Sequence, residues 1–342
     1  MKAGKNEEEM QRVNFRKIAE ELKLSHMTLY RVINNAGGVK EATRTRVIEA
    51  LNRHGCYMAE QKKKRTIVFD FDESDRSCYM RDLMFSLIDR VSIHDFVCVT
   101  TSHRTDRRKF LQEAEKAEVV VFGPMYEKTL LPVLKDLNPD LLVINLLDDT
   151  VGDIAIASDD FQSGKAAAEY LIRNGHTEHV AVTASLSGEQ VKHSFVNRAK
   201  GFLIEQRFSA PKCRIDLLDY PLITKDDNRK FLDRTFRRWK KLPSAIFCTG
   251  SYMADQIFRC CADKGIRIPE DLSLLGYDKP LSPGKTPLYD RIYFEPEQIV
   301  NWAEFFLLNR PVLKTSDPIH VLLETKLEIH GTVKNIRKES CS

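Results

Sequence analysis

The sequence has no hydrophobic run approaching the roughly 18 residues that cross a bilayer, and none of its eight cysteines forms a CxxC pair. Several cysteines stand inside apolar runs such as FVCVT and AIFCT, which is typical of buried thiols in a reducing compartment. The first residues, MKAGKNEEEMQR, lack the apolar core of a secretory signal. We therefore expect a cytoplasmic protein with no membrane partner and no disulfide framework.

Motifs of catalysis and metal binding are also scarce. There is no phosphate-binding glycine loop beside Asp70, Asp72 and Asp75, and no G-x-S-x-G motif. His176-x-x-His179 has metal-like spacing, but a pair without a third ligand is more often structural. We expect no catalytic residue, no metal site and no cofactor.

What the sequence does have is a basic beginning and an acidic remainder. Its length of 342 residues allows two or three domains, and 42% hydrophobic residues allow a sizeable core. Residues 1–65 hold 15 Lys/Arg against 8 Asp/Glu, an excess of +7; since the chain carries +4, residues 66–342 carry −3. A basic head favours a polyanionic partner, although charge alone also fits a solvated surface.

Residues 13–55 show the apolar spacing of three short helices. The apolar faces are Phe15, Ile18, Ala19 and Leu22 in the first, Leu29, Val32 and Ile33 in the second, and Val47, Ala50 and Leu51 in the third. Ser25 is placed to cap the second helix. The tight break before Ser25 predicts a helix-turn-helix, whose second helix enters the major groove of DNA.

From Ile67 onward, about nine short β-rich runs alternate with helical stretches. This alternation is typical of parallel sheets with helices on both faces, and nine runs are too many for one small sheet. The predicted fold class is therefore α/β: an N-terminal three-helix helix-turn-helix head plus a body of two Rossmann-like lobes. The last run, His320–His330, is expected to form an antiparallel edge strand.

Composition divides the chain into four parts. Residues 1–12 form a tail, 13–58 the head, 59–66 a basic linker and 67–342 the body. Within the body we expect lobe 1 at about 67–157 and 290–318, and lobe 2 at about 158–289 and 319–335.

The predicted DNA contacts lie in the head and the linker. They are Asn14, Ser25, His26, Met27, Thr28, Arg31 and Asn34, followed by Lys62, Lys63, Lys64 and Arg65. Arg31 can bind a guanine edge in bidentate fashion, and the linker cations can contact phosphates. A three-helix bundle that binds a protein is the alternative.

Several distinct motifs occur along the chain. The head has Ile18-Ala19, Arg31-Val32-Ile33-Asn34 and Thr43-Arg44; the body has Asp159-Asp160 before Gly164, Tyr170-Leu171-Ile172-x-x-Gly175-His176, Arg198-x-x-Gly201-Phe202 and the run from Lys264 to Asp278. Together they resemble the lac repressor family of bacterial transcriptional regulators. The resemblance implies a homodimeric repressor that binds a double-stranded DNA operator. It also implies a body of the periplasmic-binding-protein type, controlled by a small-molecule, sugar-like effector.

The chain departs from the family pattern at three places. Only 11 polar and basic residues separate Gly55 from Ile67, so the family's hinge helix is expected to be shortened or missing. Lys40 stands where the family has a Ser/Thr cap for the third helix. Gly250-Ser251 stands where the family usually has Asn-Asp, which puts hexose and purine effectors in doubt.

Clefts between parallel-sheet lobes bind ligands at the carboxyl ends of strands. The candidates for effector contacts are Asp72, Arg104, Asn145, Asp160, Phe161, Arg198, Tyr252 and Asp278. By resemblance, Arg198 supplies a donor fork and Asp278 accepts from vicinal hydroxyls; without a ligand the two are expected to pair with each other. Tyr252 is expected to stack in the space that Gly250-Ser251 leaves.

Two other functions stay open from the sequence. A DNA-binding scaffold regulator with no small-molecule effector would be consistent with Gly250-Ser251. A sugar-modifying enzyme, such as a sugar kinase, fused to a DNA-binding head would need phosphate loops and a base at a strand end.

Overall fold

A computed structural model of the chain describes residues 15–33, 38–54, 65–71, 78–94, 96–123, 129–148, 151–186, 193–220, 225–278, 288–309 and 317–338. The chain divides into two compact units, Met1–Lys64 and Arg65–Ser342. The first is a small helical head and the second an α/β body with two sheets, which confirms the predicted fold class. None of the helices in these ranges is long and apolar enough to span a bilayer.

The head contains the three predicted helices. They are α1 (Phe15–Leu22), α2 (His26–Ile33) and α3 (Glu41–Arg53). Their predicted apolar faces form one core of buried side chains, namely Ile18, Ala19, Leu22, Leu29, Val32, Val47, Ala50 and Leu51. Lys40 precedes α3 with no side-chain cap, as its lack of a short acceptor predicts. Glu21 links α1 to the end of α3 through Arg53 (3.1 Å) and His54 (2.7 Å).

The body contains two six-stranded sheets. The first has the order β11-β5-β4-β3-β1-β2 and is parallel throughout. Its strands are β1 (Arg65–Asp70), β2 (Phe96–Thr101), β3 (Val119–Phe122), β4 (Leu142–Leu146), β5 (Ile154–Ser158) and β11 (Ile319–Leu323). The helices that alternate with these strands are α4 (Cys78–Ser92), α5 (Arg107–Lys116) and α6 (Leu130–Leu137), with α11 (Pro296–Asn309) packed on α4.

The second sheet has the order β12-β10-β9-β8-β6-β7. Its strands are β6 (His179–Ala184), β7 (Arg214–Asp219), β8 (Ala245–Phe247), β9 (Ser273–Tyr277), β10 (Asp290–Tyr293) and β12 (Lys326–Glu328). Its helices are α7 (Asp160–Arg173), α8 (His193–Ser209), α9 (Lys225–Arg238) and α10 (Ser251–Asp263). Only β12 runs antiparallel to its described neighbour, β10.

The lobe boundaries differ from the predicted ones after Leu288. Strand β10 pairs with β9 in the second sheet, so residues 290–293 do not belong to lobe 1. Strand β11 pairs with β5 in the first sheet, so residues 319–323 do not belong to lobe 2. The run His320–His330 is therefore two strands, a parallel one in lobe 1 and an antiparallel one in lobe 2. Each segment joins the sheet whose edge completes its backbone hydrogen bonds.

Candidate functional sites

Helix α2 presents two chemically different faces. One face is buried in the head core. On the other, 61% of Met27 and 63% of Tyr30 are exposed, and the His26 and Arg31 side chains are also exposed. A helix with a fixed apolar brace and a polar outer face can enter a groove of DNA without losing its shape.

Tyr30 is a candidate for the outer face that the sequence analysis missed. It lies three residues after Met27 and four after His26, which places all three on one side of the helix. That spacing is the signal that could have found it. A tyrosine there adds an aromatic ring and a hydroxyl to the exposed face of α2.

Ser25 and Thr28 lie together at the start of α2. Ser25 Oγ accepts a hydrogen bond from the Thr28 backbone N–H at 3.1 Å and lies 2.9 Å from Thr28 Oγ1. This confirms Ser25 as the cap of α2. Both of these predicted DNA contacts therefore stand at the amino end of α2, where the helix dipole favours an anion such as a phosphate.

Arg65 is engaged in the body. It is the first residue of β1; its Nε donates to Glu118 Oε2 at 2.8 Å and its Nη2 donates to the Leu307 carbonyl at 3.2 Å. The guanidinium also lies 4.6 Å from the centre of the Phe96 ring. The linker therefore ends before Arg65, and the guanidinium is held within the first lobe instead of extending toward a phosphate. The other linker and head candidates Asn14, Asn34, Lys62, Lys63 and Lys64, with Asp72 of the body, lie outside the described residues.

Arg198 is buried in the second lobe, and two of its guanidinium nitrogens donate to protein acceptors. Its Nε donates to Asp160 Oδ1 and its Nη1 to the Thr249 carbonyl, each at 2.8 Å. The guanidinium carbon lies 3.4 Å from the centre of the Tyr277 ring and 5.6 Å from that of Phe195. Stacking and two charge-assisted hydrogen bonds fix the plane of the fork, so it is pre-organised for a bidentate acceptor.

Asp160 places this ion pair at the passage between the lobes. It is the first residue of α7, only two residues beyond the end of β5 in the first sheet. Its Oδ1 also accepts from Ser158 Oγ at 2.8 Å. Because α7 packs along α8, the pair joins the end of a lobe 1 strand to the helix that carries Arg198. A ligand or lobe movement that competes for Arg198 therefore acts directly on the crossing segment.

Asp278 lies at the carboxyl end of β9 and is not paired with Arg198. Arg198 takes Asp160 as its salt-bridge partner instead, so the predicted Arg198–Asp278 pair is wrong. Asp278 has a positive φ of 64°, and its N–H donates to the Ile292 carbonyl at 2.9 Å. Burial raises the pKa of Asp278 to about 6, helped by the Asp160 carboxylate and opposed by Arg198 and Arg291. Asp278 thus remains an acceptor whose charge a ligand donor would stabilise.

A phenyl ring covers Gly250. A Cβ built on Gly250 would lie 3.0 Å from two atoms of the Phe195 ring, Cε1 and Cζ. This contact is tighter than normal van der Waals packing. Phe195 therefore occupies the space beside the position where the resembling family has a polar side chain.

The remaining predicted effector residues differ in their surroundings. Tyr252 packs against the core between α9 and α10, and its hydroxyl accepts from Asn228 Nδ2 at 3.1 Å, so it does not fill the space beside Gly250. Asn145 Nδ2 donates to the Val151 carbonyl at 3.0 Å, while its buried Oδ1 has no hydrogen-bond partner among the described residues. Arg104 is exposed in the turn after β2, and Phe161 is half-buried in the first turn of α7.

Asp70 and His103 form a buried polar pair that the sequence analysis did not assign. Asp70 Oδ2 lies 2.7 Å from His103 Nδ1, and its Oδ1 accepts from the His103 backbone N–H at 2.8 Å. The imidazole packs edge-on against Phe110 and Phe122. The pair joins the carboxyl ends of β1 and β2 at the edge where lobe 1 ligands would bind.

His176 and His179 are both structural. The buried His176 ring lies 3.0 Å from Ser244 Oγ and 3.0 Å from the Lys334 carbonyl, and His179 Nε2 lies 2.9 Å from Asp216 Oδ2. Across the described ranges there is no group of three or more His, Cys, Asp or Glu side chains that could hold a metal ion. Four cysteines, Cys213, Cys248, Cys260 and Cys261, are free and buried, as the apolar context predicts.

Both units of the chain match known protein families. Residues 14–57 match the family described as "Bacterial regulatory proteins, lacI family", and residues 168–287 match "Periplasmic binding protein-like domain". These two matches support a lacI-family regulator. This agrees with the motifs noted in the sequence and with the head-plus-two-sheet architecture.

Two curated transcriptional repressors are similar over 61% and 93% of the chain. The HTH-type transcriptional repressor PurR of Pasteurella multocida (strain Pm70) is 24% identical over 331 residues, covering 93% of this chain and 98% of that protein. The PurR repressor of Yersinia enterocolitica is 28% identical over 213 residues, and this match spans only 61% of either chain.

Solved structures show the same fold at lower identity. A complex of the regulator CelR with cellobiose has a TM-score of 0.64 at 19% identity and covers 93% of this chain and 99% of that one. The lac repressor dimer bound to operator and the anti-inducer ONPF has a TM-score of 0.62 at 17% identity, covering 94% and 99%. A lacI-family regulator of Enterococcus faecium with bound ribose has a TM-score of 0.63 at 18% identity, covering 79% and 99%.

Proposed function

We propose that this protein is a transcriptional regulator that binds operator DNA as a homodimer in the cytoplasm and is controlled by a small-molecule effector. The observation that carries the proposal is the two-faced α2: a buried brace and an exposed row of His26, Met27, Tyr30 and Arg31, within a head that matches the lacI family. The curated relatives are named repressors, which favours repression.

The DNA-reading role is tested with Arg31→Ala. Loss of a bidentate guanine contact costs about 1–3 kcal/mol of binding and relaxes preference at one base pair in each half-site. The site would be selected from random duplexes and the affinity measured on that site and on single-base variants. Arg173→Ala, which removes an exposed arginine from α7 in the body, is the matched control and should bind like wild type. Uniform binding to every duplex by wild type would contradict the proposal.

The effector role rests on Arg198 and Asp278. The buried, stacked guanidinium of Arg198 on α8 can donate to hydroxyls of a ligand, and the Asp278 carboxyl at the end of β9, whose pKa is raised, can accept from them. The ribose and cellobiose in two similar structures support a carbohydrate-like molecule. Gly250 and the Phe195 ring favour an effector with a flatter or less hydroxylated surface than a hexose.

A thermal-shift screen of carbohydrates followed by calorimetry tests this site. Arg198→Lys and Asp278→Asn should each weaken binding of a confirmed effector by about 1.5–3 kcal/mol, the range for hydrogen bonds to charged groups. Arg229→Ala is the control, since Arg229 pairs with Asp263 on the exposed surface. Unchanged affinity in both variants would place the effector elsewhere. A complete lack of stabilisation across the screen, with operator binding intact, would favour the scaffold regulator.

Dimerisation is assigned to the face formed by α4 and α11. Trp302 and Phe305 on α11 are exposed, with ring centres 5.8 Å apart, and Phe85 on the neighbouring α4 is half exposed. Large exposed aromatic side chains on adjacent helices are typical of a protein interface, and the lac repressor neighbour is a dimer. Phe305→Glu should give a monomer in sedimentation velocity, whereas Phe208→Glu, on the exposed face of α8, should leave the dimer intact.

A further inference from the structure

A basic pocket lies at the end of the second sheet opposite to the effector site. His179 is the first residue of β6 and Arg214 the first residue of the neighbouring parallel strand β7, so both lie at the amino ends of their strands. The pocket has a volume of about 470 Å³ and is lined by Glu178, His179, Arg214, Arg238, Lys240 and Lys241. Asp278, in contrast, lies at the carboxyl end of β9, and Arg198 lies on α8. The pocket is therefore separate from the effector site.

One carboxylate, that of Asp216, contacts two of the residues that line the pocket. Asp216 Oδ2 accepts from Trp239 Nε1 at 2.7 Å and lies 2.9 Å from His179 Nε2, while Oδ1 accepts from Arg214 Nε at 3.1 Å. Although burial raises the pKa of Asp216, these hydrogen bonds hold it below its ordinary value, so the carboxylate stays charged. The positions of His179 and Arg214 are thus set before any ligand arrives.

The cations outnumber the acids around this space. The described lining of the pocket has four cations, Arg214, Arg238, Lys240 and Lys241, and one carboxylate, Glu178; Asp216 adds a second by pairing with Arg214. Arg238, Lys240 and Lys241 form no salt bridge with any residue that the structure describes. This local excess belongs to a body of net charge −3, so it is a concentrated feature of one site. Like charges around a concavity repel one another, and an anion between them removes that cost.

We propose that this pocket is a second ligand site, which binds a phosphate-bearing small molecule. A volume of about 470 Å³ lies within the range of small-molecule sites. The Arg238 fork can match phosphate oxygens in bidentate geometry, and Lys240 and Lys241 add point charges, whereas Nε and Nη2 of Arg214 already donate to Asp216. Glu178 at the rim can accept from a hydroxyl of the same ligand. Nothing in this inference depends on the proposed regulator function.

Calorimetry with inorganic pyrophosphate on the full chain, at about 0.15 M salt so that distant charges are screened, tests the site. Wild type should bind one pyrophosphate per chain saturably. The double variant Lys240→Gln/Lys241→Gln should weaken the affinity about tenfold or more, since each charge-assisted hydrogen bond supplies at least that factor. The matched control Lys230→Gln/Arg234→Gln removes two exposed cations from α9 outside the pocket and should change the affinity less than about twofold.

Three results would overturn the proposal. One is the absence of saturable binding by wild type. Another is an equal loss in the two double variants, which would reduce the effect to overall charge. The third is loss of pyrophosphate binding in Arg198→Lys, which would move the ligand to the effector site. Melting temperatures without ligand should be equal in both double variants, because all four replaced side chains are exposed.

Discussion

Gly164 of α7 and Gly201 of α8 bring two helix backbones into direct contact. A Cβ on Gly164 would lie 1.9 Å from the Arg198 carbonyl oxygen, and one on Gly201 would lie 2.0 Å from the Phe161 carbonyl oxygen. No real Cβ approaches an oxygen so closely, so only glycine permits this packing. The contact sets the distance between the helix that begins with Asp160 and the helix that carries Arg198.

Gly201→Ala should therefore destabilise the body and disturb the Arg198–Asp160 pair. Overpacking at a buried contact costs about 1–3 kcal/mol, and here both sides are backbone that cannot rotate away, so we expect the upper end. Urea unfolding gives the free energy. Gly265→Ala is the control: its positive φ of 69° costs about 1 kcal/mol, but nothing lies within 4 Å of the added carbon. Equal losses in the two variants would contradict the contact.

Asp278→Asn should stabilise the protein at neutral pH while weakening effector binding. The folded chain holds the Asp278 proton more tightly than the unfolded chain, since burial raises its pKa from 3.8 to about 6. The free energy of unfolding therefore falls as pH rises from about 4 to 6 and stays lower above that. Asparagine tolerates the positive φ at this position. The variant should gain up to about 3 kcal/mol at pH 7.5 and little at pH 4. A gain independent of pH would count against this.

His176 should act on stability in the opposite direction. Burial lowers its pKa from 6.5 to about 4, so the unfolded chain binds the proton more tightly. The free energy of unfolding therefore rises with pH between about 4 and 6.5, and acidification through that window should cost about 3 kcal/mol. His176→Gln should be less stable than wild type at pH 7.5 but lose less on acidification. An unchanged pH slope would show that His176 has the same pKa in the folded and unfolded chains, contrary to this prediction.

The pH ranges in which Asp278 and His176 change the free energy of unfolding overlap, and the two effects have opposite signs. Between pH 4 and 6 the free energy of unfolding of wild type should therefore vary less with pH than that of either single variant. Asp278→Asn removes the compensating group and should expose the acid loss due to His176. Chemical denaturation at half-unit pH steps measures the three profiles side by side.

Asp290→Asn should be strongly destabilising. Asp290 is fully buried; its Oδ1 accepts from the backbone N–H groups of His330, Gly331 and Thr332, and its Oδ2 accepts from Tyr170 at 2.7 Å. Each hydrogen bond to a charged group is worth about 1.5–3 kcal/mol, so we expect a loss above about 3 kcal/mol. Tyr170→Phe, which removes one of these bonds, should cost roughly half as much. Similar losses in both would mean that the backbone contacts contribute nothing.

Neutralising the linker lysines and replacing Arg65 should have different effects on the salt dependence of DNA binding. Neutralising Lys62, Lys63 and Lys64 should reduce the slope of log affinity against log salt by up to about 0.9 for each DNA phosphate that a lysine no longer neutralises. Arg65→Gln should leave that slope unchanged and lower body stability instead, because its guanidinium is bound to Glu118 and Leu307. A reduced slope in Arg65→Gln would contradict this division.

Local sequence patterns predicted the elements with clear periodicity and missed those whose signal is masked by charge. Helix α9 was not predicted, because its run KDDNRKFLDRTFRR keeps few apolar residues among many charges. Strand β10 was also missed: Asp290 and Arg291 are buried in it, which is possible only because Tyr170 and Glu328 satisfy them from distant segments. Helix α11, nearly all apolar at its end, showed no single face.

The exchange of β10 and β11 between the lobes could not be predicted from the chain either. Asp290 lies opposite Leu275, whereas Ile319 lies opposite Ile154, and sheet membership depends on these remote partners. The sequence singled out both Arg198 and Asp160, but it paired Arg198 with Asp278. Asp160 and not Asp278 pairs with Arg198, because the close contact of α7 and α8 at Gly164 and Gly201 brings Asp160 to the guanidinium. No single sequence motif contains this geometry.

Because the Phe195 ring covers Gly250, the effect of a substitution at one of these two positions depends on whether the other has already been replaced. Gly250→Asn alone must force the ring aside, whereas Phe195→Ala first opens the space that the new side chain would fill. The route from this pocket to one with the family's usual polar residue therefore passes through position 195 before position 250. An evolutionary or engineered change of effector specificity is then an epistatic walk, in which the same substitution is harmful in one background and neutral in the other.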